Sequence, residues 1–315
     1  MQVHVSELRT SYPTPNTCSG DCWAHDPGLY QRISDGKYFR YSIGSGIHSH
    51  SADTLTGPWK PVGDALPNGT IINHPGRTRL WAPDIYYDQA TKTCHVVMGL
   101  ASSPSLMPES WADHGAVIRF TNEDRYNAID GNWAEIDGVS YLNFGSYWDG
   151  VFQIPLSFAR DEGSKEERLA THVAKDTLSH LAYNATGHHC IEAPFIFQHG
   201  SWYYLFFSSG RASKYDTTLP AQGEKYKIMV CRSRTGRDDF VDRFGKSCLE
   251  SGGTILLASH GSIYGPGGQG VLKDKQHGLV LYYHYADKVL GSRLISINLG
   301  GTLCGGRTAS LSCEP

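Results

Sequence analysis

The sequence predicts an all-β protein, a five-bladed β-propeller, and three observations carry that expectation. Helix signals are scarce. Short aromatic and β-branched runs bounded by Gly, Asp, Asn and Pro dominate. One turn-then-strand pattern recurs along the chain. It reads Ser34-Asp35-Gly36-Lys37-Tyr38-Phe39-Arg40-Tyr41-Ser42 and returns at Ile136–Gly145, Gln198–Phe207 and Gln276–Tyr285, with a weaker copy at Gln89–Met98. Five copies, about 50 to 75 residues apart, suit four-stranded blades around a central channel better than a sandwich of ordinary hairpins. The best helical periodicity, Leu169, Val173 and Leu178 within Glu166–Ser179, predicts a short helix or a loop with a single turn. No linker divides the chain. Residues 1–315 are expected to form a single domain, with its propeller core at about 18–298.

A chain of 315 residues, 40% of them hydrophobic, can bury a full core. A net charge of −3 and the lack of a basic block exclude nucleic acid and an anionic membrane surface as partners. Apolar runs such as Thr254–Ala258 and Leu279–Tyr283 are too short to span a bilayer. A monomer is expected. Eight cysteines permit disulfides: Cys18 and Cys22 can close a tight N-terminal loop, and Cys304 and Cys313 can pin the C-terminus. Asn68-Gly69-Thr70 and Asn184-Ala185-Thr186 are glycan sequons. Met1–Val5 has no apolar signal region, so the reading is a secreted protein whose leader has been removed.

Several motifs fall away. Gly265-Pro266-Gly267-Gly268-Gln269-Gly270 spells G-x-G-x-x-G, but Pro266 interrupts it and a strand rather than a helix follows; a tight loop with close backbone approach is expected. His48-Ser49-His50 and His188-His189-Cys190 lack companions at zinc spacing. There is no G-x-S-x-G elbow for a serine nucleophile.

The carboxylates remain. Asp26 (before Pro27), Asp130 (in Ala128-Ile129-Asp130-Gly131) and Glu192 (in Ile191-Glu192-Ala193-Pro194) stand in uncharged company beside turn-forming or Pro-restricted backbone. A residue preceding proline is held towards an extended conformation. Apolar neighbours raise a carboxyl pKa, so one acid stays protonated while another stays ionised, the division of labour that glycoside hydrolysis needs. Asp84, in Leu80-Trp81-Ala82-Pro83-Asp84-Ile85, qualifies equally on these grounds.

An ordered series of segments carries a family resemblance. It comprises His25-Asp26-Pro27, Leu80–Ile85, Tyr126–Asp130, Leu142–Asp149, Glu192, Tyr203–Gly210, Tyr226–Ser233, Tyr264–Gly270 and Tyr282–Tyr285. From about Cys18 to about Leu294 the chain resembles the arabinan endo-1,5-α-L-arabinanases of glycoside hydrolase family 43, in their fungal secreted form. The resemblance implies a five-bladed propeller that cleaves arabinan with inversion, needing no cofactor for the chemistry. It implies Asp26 as general base, Glu192 as general acid, and Asp130 as the third acid that raises and positions Glu192. An inverting pair stands about 6.5–9.5 Å apart. It further implies that Trp81, Asn127, Ala128, Ile129, Ser146, Tyr147 and Trp148 meet the sugar, that Asp84 is structural, and that His284 lies beside a channel calcium held mostly by waters.

The chain departs from the family pattern in three places. Between Asp84 and Asp130 it is shorter by roughly a dozen residues, about one strand with its turn. Arg211-Ala212-Ser213 stands where relatives often carry a cysteine pair. Gly268, as in fungal members, stands where bacterial members have histidine. Two rival readings follow: an exo-acting arabinofuranosidase or xylosidase on the same scaffold, and a catalytically weak carbohydrate-binding protein.

Overall fold

A computed structural model describes residues 12–302 apart from 90, 98, 119, 147, 157, 161–166, 170–177, 186–189, 214, 216, 222 and 288–294. Four strands, β1 (Gly28–Gln31), β2 (Tyr38–Ser42), β3 (His48–Ala52) and β4 (Lys60–Asp64), form the first antiparallel sheet. A second holds β5 (Asp84–Asp88), β6 (Thr93–Val97), β7 (Leu100–Ser103) and β8 (Ala112–Gly115). Next come β9 (Ile129–Ile136), β10 (Val139–Ser146) and β11 (Gly150–Pro155), then a two-stranded ribbon of β12 (Phe158–Arg160) and β13 (Glu167–Leu169). The chain continues through β14 (Ser179–Ala182), β15 (Ile191–His199), β16 (Trp202–Ser209), β17 (Lys227–Ser233) and β18 (Thr254–Leu257). It ends in a three-stranded sheet of β19 (Ile263–Asp274), β20 (Gly278–Asp287) and β21 (Ile295–Thr302).

The all-β expectation holds, but the count of five blades does not. The described strands make four propeller sheets, and the fifth sheet is only the β12–β13 ribbon. The physical reason is one backbone pairing. Ser146 at the end of β10 pairs with Ile191 at the start of β15, so β9, β10, β11 and β14 join β15–β18 in a single eight-stranded sheet. All five copies of the recurring pattern are nevertheless strands, namely β2, β6, β10, β16 and β20; two of them share the large sheet. The helix expected over Glu166–Ser179 is also corrected where the chain is described, since Glu167–Leu169 is strand; residues 170–177 lie outside the described residues.

Local chemistry accounts for the strands. Asp137 (φ 52°) and Gly138 (φ 77°) link β9 to β10 in a two-residue turn with positive φ at both positions, the turn that Asp-Gly favours. Apolar layers lie between neighbouring sheets. Phe206, Ile228, Val271, Leu281 and Tyr283 join β16 and β17 to β19 and β20, while Leu100, Trp133, Leu142, Phe144 and Phe152 join the second sheet to β9–β11. Each such side chain contributes about 1.5–3 kcal/mol on burial.

The centre is different. Five chain segments reach it through a residue with positive φ followed by Pro or Gly: Asp26 (45°), Ala82 (44°), Asp130 (52°), Ala193 (51°) and Gly265 (59°). Asp26, Ala82 and Ala193 all precede prolines, so the extended backbone expected there is not what forms. A left-handed non-glycine costs about 1–3 kcal/mol and persists only where its surroundings fix it.

Candidate active site

Four of those kinks, at Asp26, Ala82, Asp130 and Ala193, line one central cavity, together with Pro27, Asp84, Asn132, Gln269 and Tyr282. Asp26, Asp130 and Glu192, separated by up to 166 positions in the chain, are brought close enough here to shift one another's ionisation.

Asp26 belongs to the chain entering β1. Its backbone N–H lies 3.1 Å from His284 Nδ1, its Oδ1 lies 3.1 Å from the same nitrogen, and its Oδ2 lies 3.5 Å from His25 Nε2. One ring nitrogen cannot serve both partners at once: without a hydrogen Nδ1 accepts the amide, and as Nδ1–H, in that neutral tautomer or in the imidazolium, it donates to the carboxylate. Burial pushes the Asp26 carboxyl up, but His25 and His284 outweigh it and hold the group below its ordinary range.

Glu192 sits at a bulge in β15, where the register with β16 slips between Glu192 and Phe195. Tyr226 donates its hydroxyl to Glu192 Oε1 at 2.8 Å. Burial, reinforced by the charge of Asp26 and opposed by Tyr226, leaves the carboxyl at about 6. Asp130 is raised well above the usual range by burial, then by Glu192 and Asp26. That repulsion is mutual, so the acids titrate as a set. At mildly acidic pH the arrangement keeps Asp26 ionised and Glu192 protonated within range of each other's charge.

The peptide next to Glu192 is clamped on both sides. Ala193 donates its N–H to Asp130 Oδ2 at 3.0 Å, and its carbonyl accepts from Gln269 Nε2 at 2.7 Å. Ser208 in turn donates to Gln269 Oε1 at 2.8 Å and accepts the Gly268 N–H at 3.0 Å. This is what fixes the left-handed Ala193. The glycine-rich stretch acts through close approach, as expected: a Cβ on Gly268 would collide with Asp26 Oδ1 and come within 2.6 Å of His284 Nδ1.

The other expected site residues divide. Trp81 is 62% exposed and, with Ala128, Ile129, Val117 and Ile118, lines an apolar depression that reaches Asp130. Asn127 is buried, and Trp148 meets Phe120 edge-on at 5.8 Å. Ser146 makes the β10–β15 pairing through its backbone, while Tyr147 lies outside the described residues. Buried Asp84 accepts from Asn132 Nδ2 (2.8 Å) and the Trp133 N–H (3.2 Å). The sequence reading missed Tyr226, Gln269 and Ser208 as site residues. Their partners lie 34, 76 and 61 positions away, so nothing local marks them.

His25, Asp26 and His284 bring possible ligand atoms within 4.8 Å of one another. Calcium takes roughly six to eight oxygens, and this trio offers one carboxylate and two imidazoles. These residues do not build a calcium shell by themselves. A hydrated ion touching His284 is the form the donor set fits.

Three carboxyls that shift one another's ionisation at the centre of a propeller supply the acid and base chemistry that glycoside cleavage needs. The family model described as "Glycosyl hydrolases family 43" matches residues 23–303, and the chain belongs to that family. It is 51% identical over 302 residues to arabinan endo-1,5-alpha-L-arabinosidase C of Emericella nidulans, covering 91% of this chain and 90% of that protein. Among solved structures it resembles an exo-1,5-alpha-L-arabinanase from a bovine ruminal metagenomic library, with a TM-score of 0.72 and 26% identity over 89% of this chain and 94% of that one. It also resembles the family 43 endo-arabinanase of Bacillus licheniformis, with a TM-score of 0.67 and 26% identity over 90% of this chain and 96% of that one.

Proposed function

We propose that this chain hydrolyses internal α-1,5-L-arabinofuranosidic links of arabinan, with inversion, as a secreted enzyme of plant cell-wall breakdown. The observation that carries the reading is the opposed environment of two carboxyls close enough to feel each other's charge. Asp26 is held ionised between two imidazoles, and Glu192 is held protonated up to about pH 6. In the reaction Asp26 takes a proton from water as the oxygen attacks the anomeric carbon. Glu192 gives its proton to the departing glycosidic oxygen as the bond to that carbon breaks. Attack from the face opposite the leaving group inverts the centre. Asp130 accepts the Ala193 N–H and so keeps the neighbouring Glu192 aimed. Trp81 offers an exposed ring on which a sugar face packs, with Asn127, Ala128, Ile129, Ser146, Tyr147 and Trp148 completing the contacts.

No cofactor takes part in these steps. A hydrated cation beside His284 would supply only positive charge that holds Asp26 ionised. The described disulfides, Cys18–Cys22 and Cys231–Cys248, support action in an oxidising compartment.

A time course on linear 1,5-arabinan, with products separated by size, tests the reading. Oligomers in the first minutes are expected, and none from Glu192→Ala or Asp26→Ala. Monomer from the outset would replace endo with exo action. Binding without product, in folded wild type, would make the chain a carbohydrate-binding protein.

A further inference from the structure

Asp84 stands outside the mechanism just described, yet it ends a chain of four buried polar side chains that crosses β5, β9, β10 and β11. Asn132 donates its amide to Asp84 Oδ2 at 2.8 Å. Asn143 donates to Asn132 Oδ1 at 2.9 Å, and Gln153 donates to Asn143 Oδ1 at 2.9 Å and to the Gly236 carbonyl at 3.1 Å. All four are buried: Asp84 is 8% exposed, Asn132 2%, Asn143 0% and Gln153 1%. An ionised carboxylate only accepts, so it sets the direction of every amide in the chain, each NH₂ pointing towards Asp84.

The direction matters at Asn132. With its NH₂ committed to Asp84, its carbonyl is free to accept the Ile196 N–H of β15 at 3.0 Å. Among the described residues β9 and β15 share no backbone ladder. Two side-chain bonds join them instead: Asn132 to Ile196, and Asp130 to Ala193. Asn132 lies two residues after Asp130, and Ile196 lies four after Glu192. From this geometry we propose that Asp84 is a positioning residue for the Asp130–Glu192 pair, orienting Asn132 so that its carbonyl holds β15 against β9. The inference rests on the hydrolase reading above and deepens it.

Asp84 shares its cavity with Asp26, Asp130 and the Tyr282 phenol, and among the described residues that line it none is Lys, Arg or His. Burial, opposed by its bonds to Asn132, Trp133 and Ile85, leaves its carboxyl at about 6. The charge that orders the chain is therefore lost as pH falls through about 6, where Glu192 also takes up its proton. This gives the test a signature that a purely structural role would lack.

The experiment compares wild type and Asp84→Asn on linear 1,5-arabinan from pH 5 to 8, well below the melting temperature of each. Above pH 6 kcat of the variant is expected to fall at least tenfold with KM within twofold. The gap should close below pH 6, where the wild-type carboxyl is itself protonated. A wild-type kcat across that range in folded Asp84→Asn overturns the proposal. If Asp84→Asn does not fold, amide hydrogen exchange at Ile196 in the wild type decides. After correction for intrinsic rates, protection should weaken as pH falls through about 6, and constant protection overturns the proposal. Absence of product from the wild type would instead remove the hydrolase reading beneath it.

Discussion

At Glu192 one phenol governs how far up the pH scale the acid keeps its proton. Tyr226 donates to Oε1 and so favours the ionised form. A bond to a charged group is worth about 1.5–3 kcal/mol, or about one pH unit or more. Tyr226→Phe is therefore expected to raise the Glu192 pKa, and the alkaline limb of a kcat/KM profile should move up by about one pH unit. An unmoved limb would show that Tyr226 does not govern this group. Composition and neighbours were enough to select Asp26, Asp130 and Glu192 as candidates, because apolar company is written into the chain. They were not enough to rank Asp84 below them. What separates these acids is the partner each meets: imidazoles for Asp26, a phenol for Glu192 and an amide for Asp84. Each partner comes from a remote part of the chain, except His25 beside Asp26.

Among the elements, the glycine-rich stretch at the centre of β19 makes the clearest prediction. A methyl group on Gly268 has nowhere to go between Asp26 and His284, and its φ of 55° disfavours any side chain. Gly268→Ala is expected to cut kcat at least a hundredfold by displacing the Asp26 carboxylate, measured against a circular-dichroism check of the fold. An active variant would mean that the strand can shift at no cost to the site. The Cys231–Cys248 disulfide closes a segment of 17 residues. Replacing both cysteines with alanine should lower stability by about 3 kcal/mol in denaturant titration while leaving kcat unchanged. Strand positions were legible because aromatic runs between Asp-Gly-type turns have few alternatives. The left-handed steps before Pro27, Pro83 and Pro194 were not, since local sterics favour extended backbone and only clamps such as Asp130 and Gln269 on Ala193 override them.

For the molecule as a whole, the clustered acids set how stability depends on pH. A carboxyl raised in the folded state binds its proton more tightly there than in the unfolded chain. Its effect on stability is nil below the unfolded pKa near 3.8 and grows more unfavourable as pH rises towards the folded value. Asp130 is such a group, and Asn at this position still offers a carbonyl to Ala193. Asp130→Asn is thus expected to melt about 2 °C or more above wild type at pH 7, with the difference vanishing near pH 4, while kcat falls. An equal melting temperature at both pH values would show that Asp130 carries no electrostatic strain. The number of blades was beyond sequence reading, because one pairing between Ser146 and Ile191 merges two arrays whose individual strands look like all the others. The Asp26–His284 contact joins positions 258 apart, and its meaning extends to how the protein is made. A ribosome delivers Asp26 long before the histidine it meets. A nascent chain that stops short of His284 therefore lacks half of this contact, and the surroundings that hold Asp26 ionised are completed only once β20 has been made.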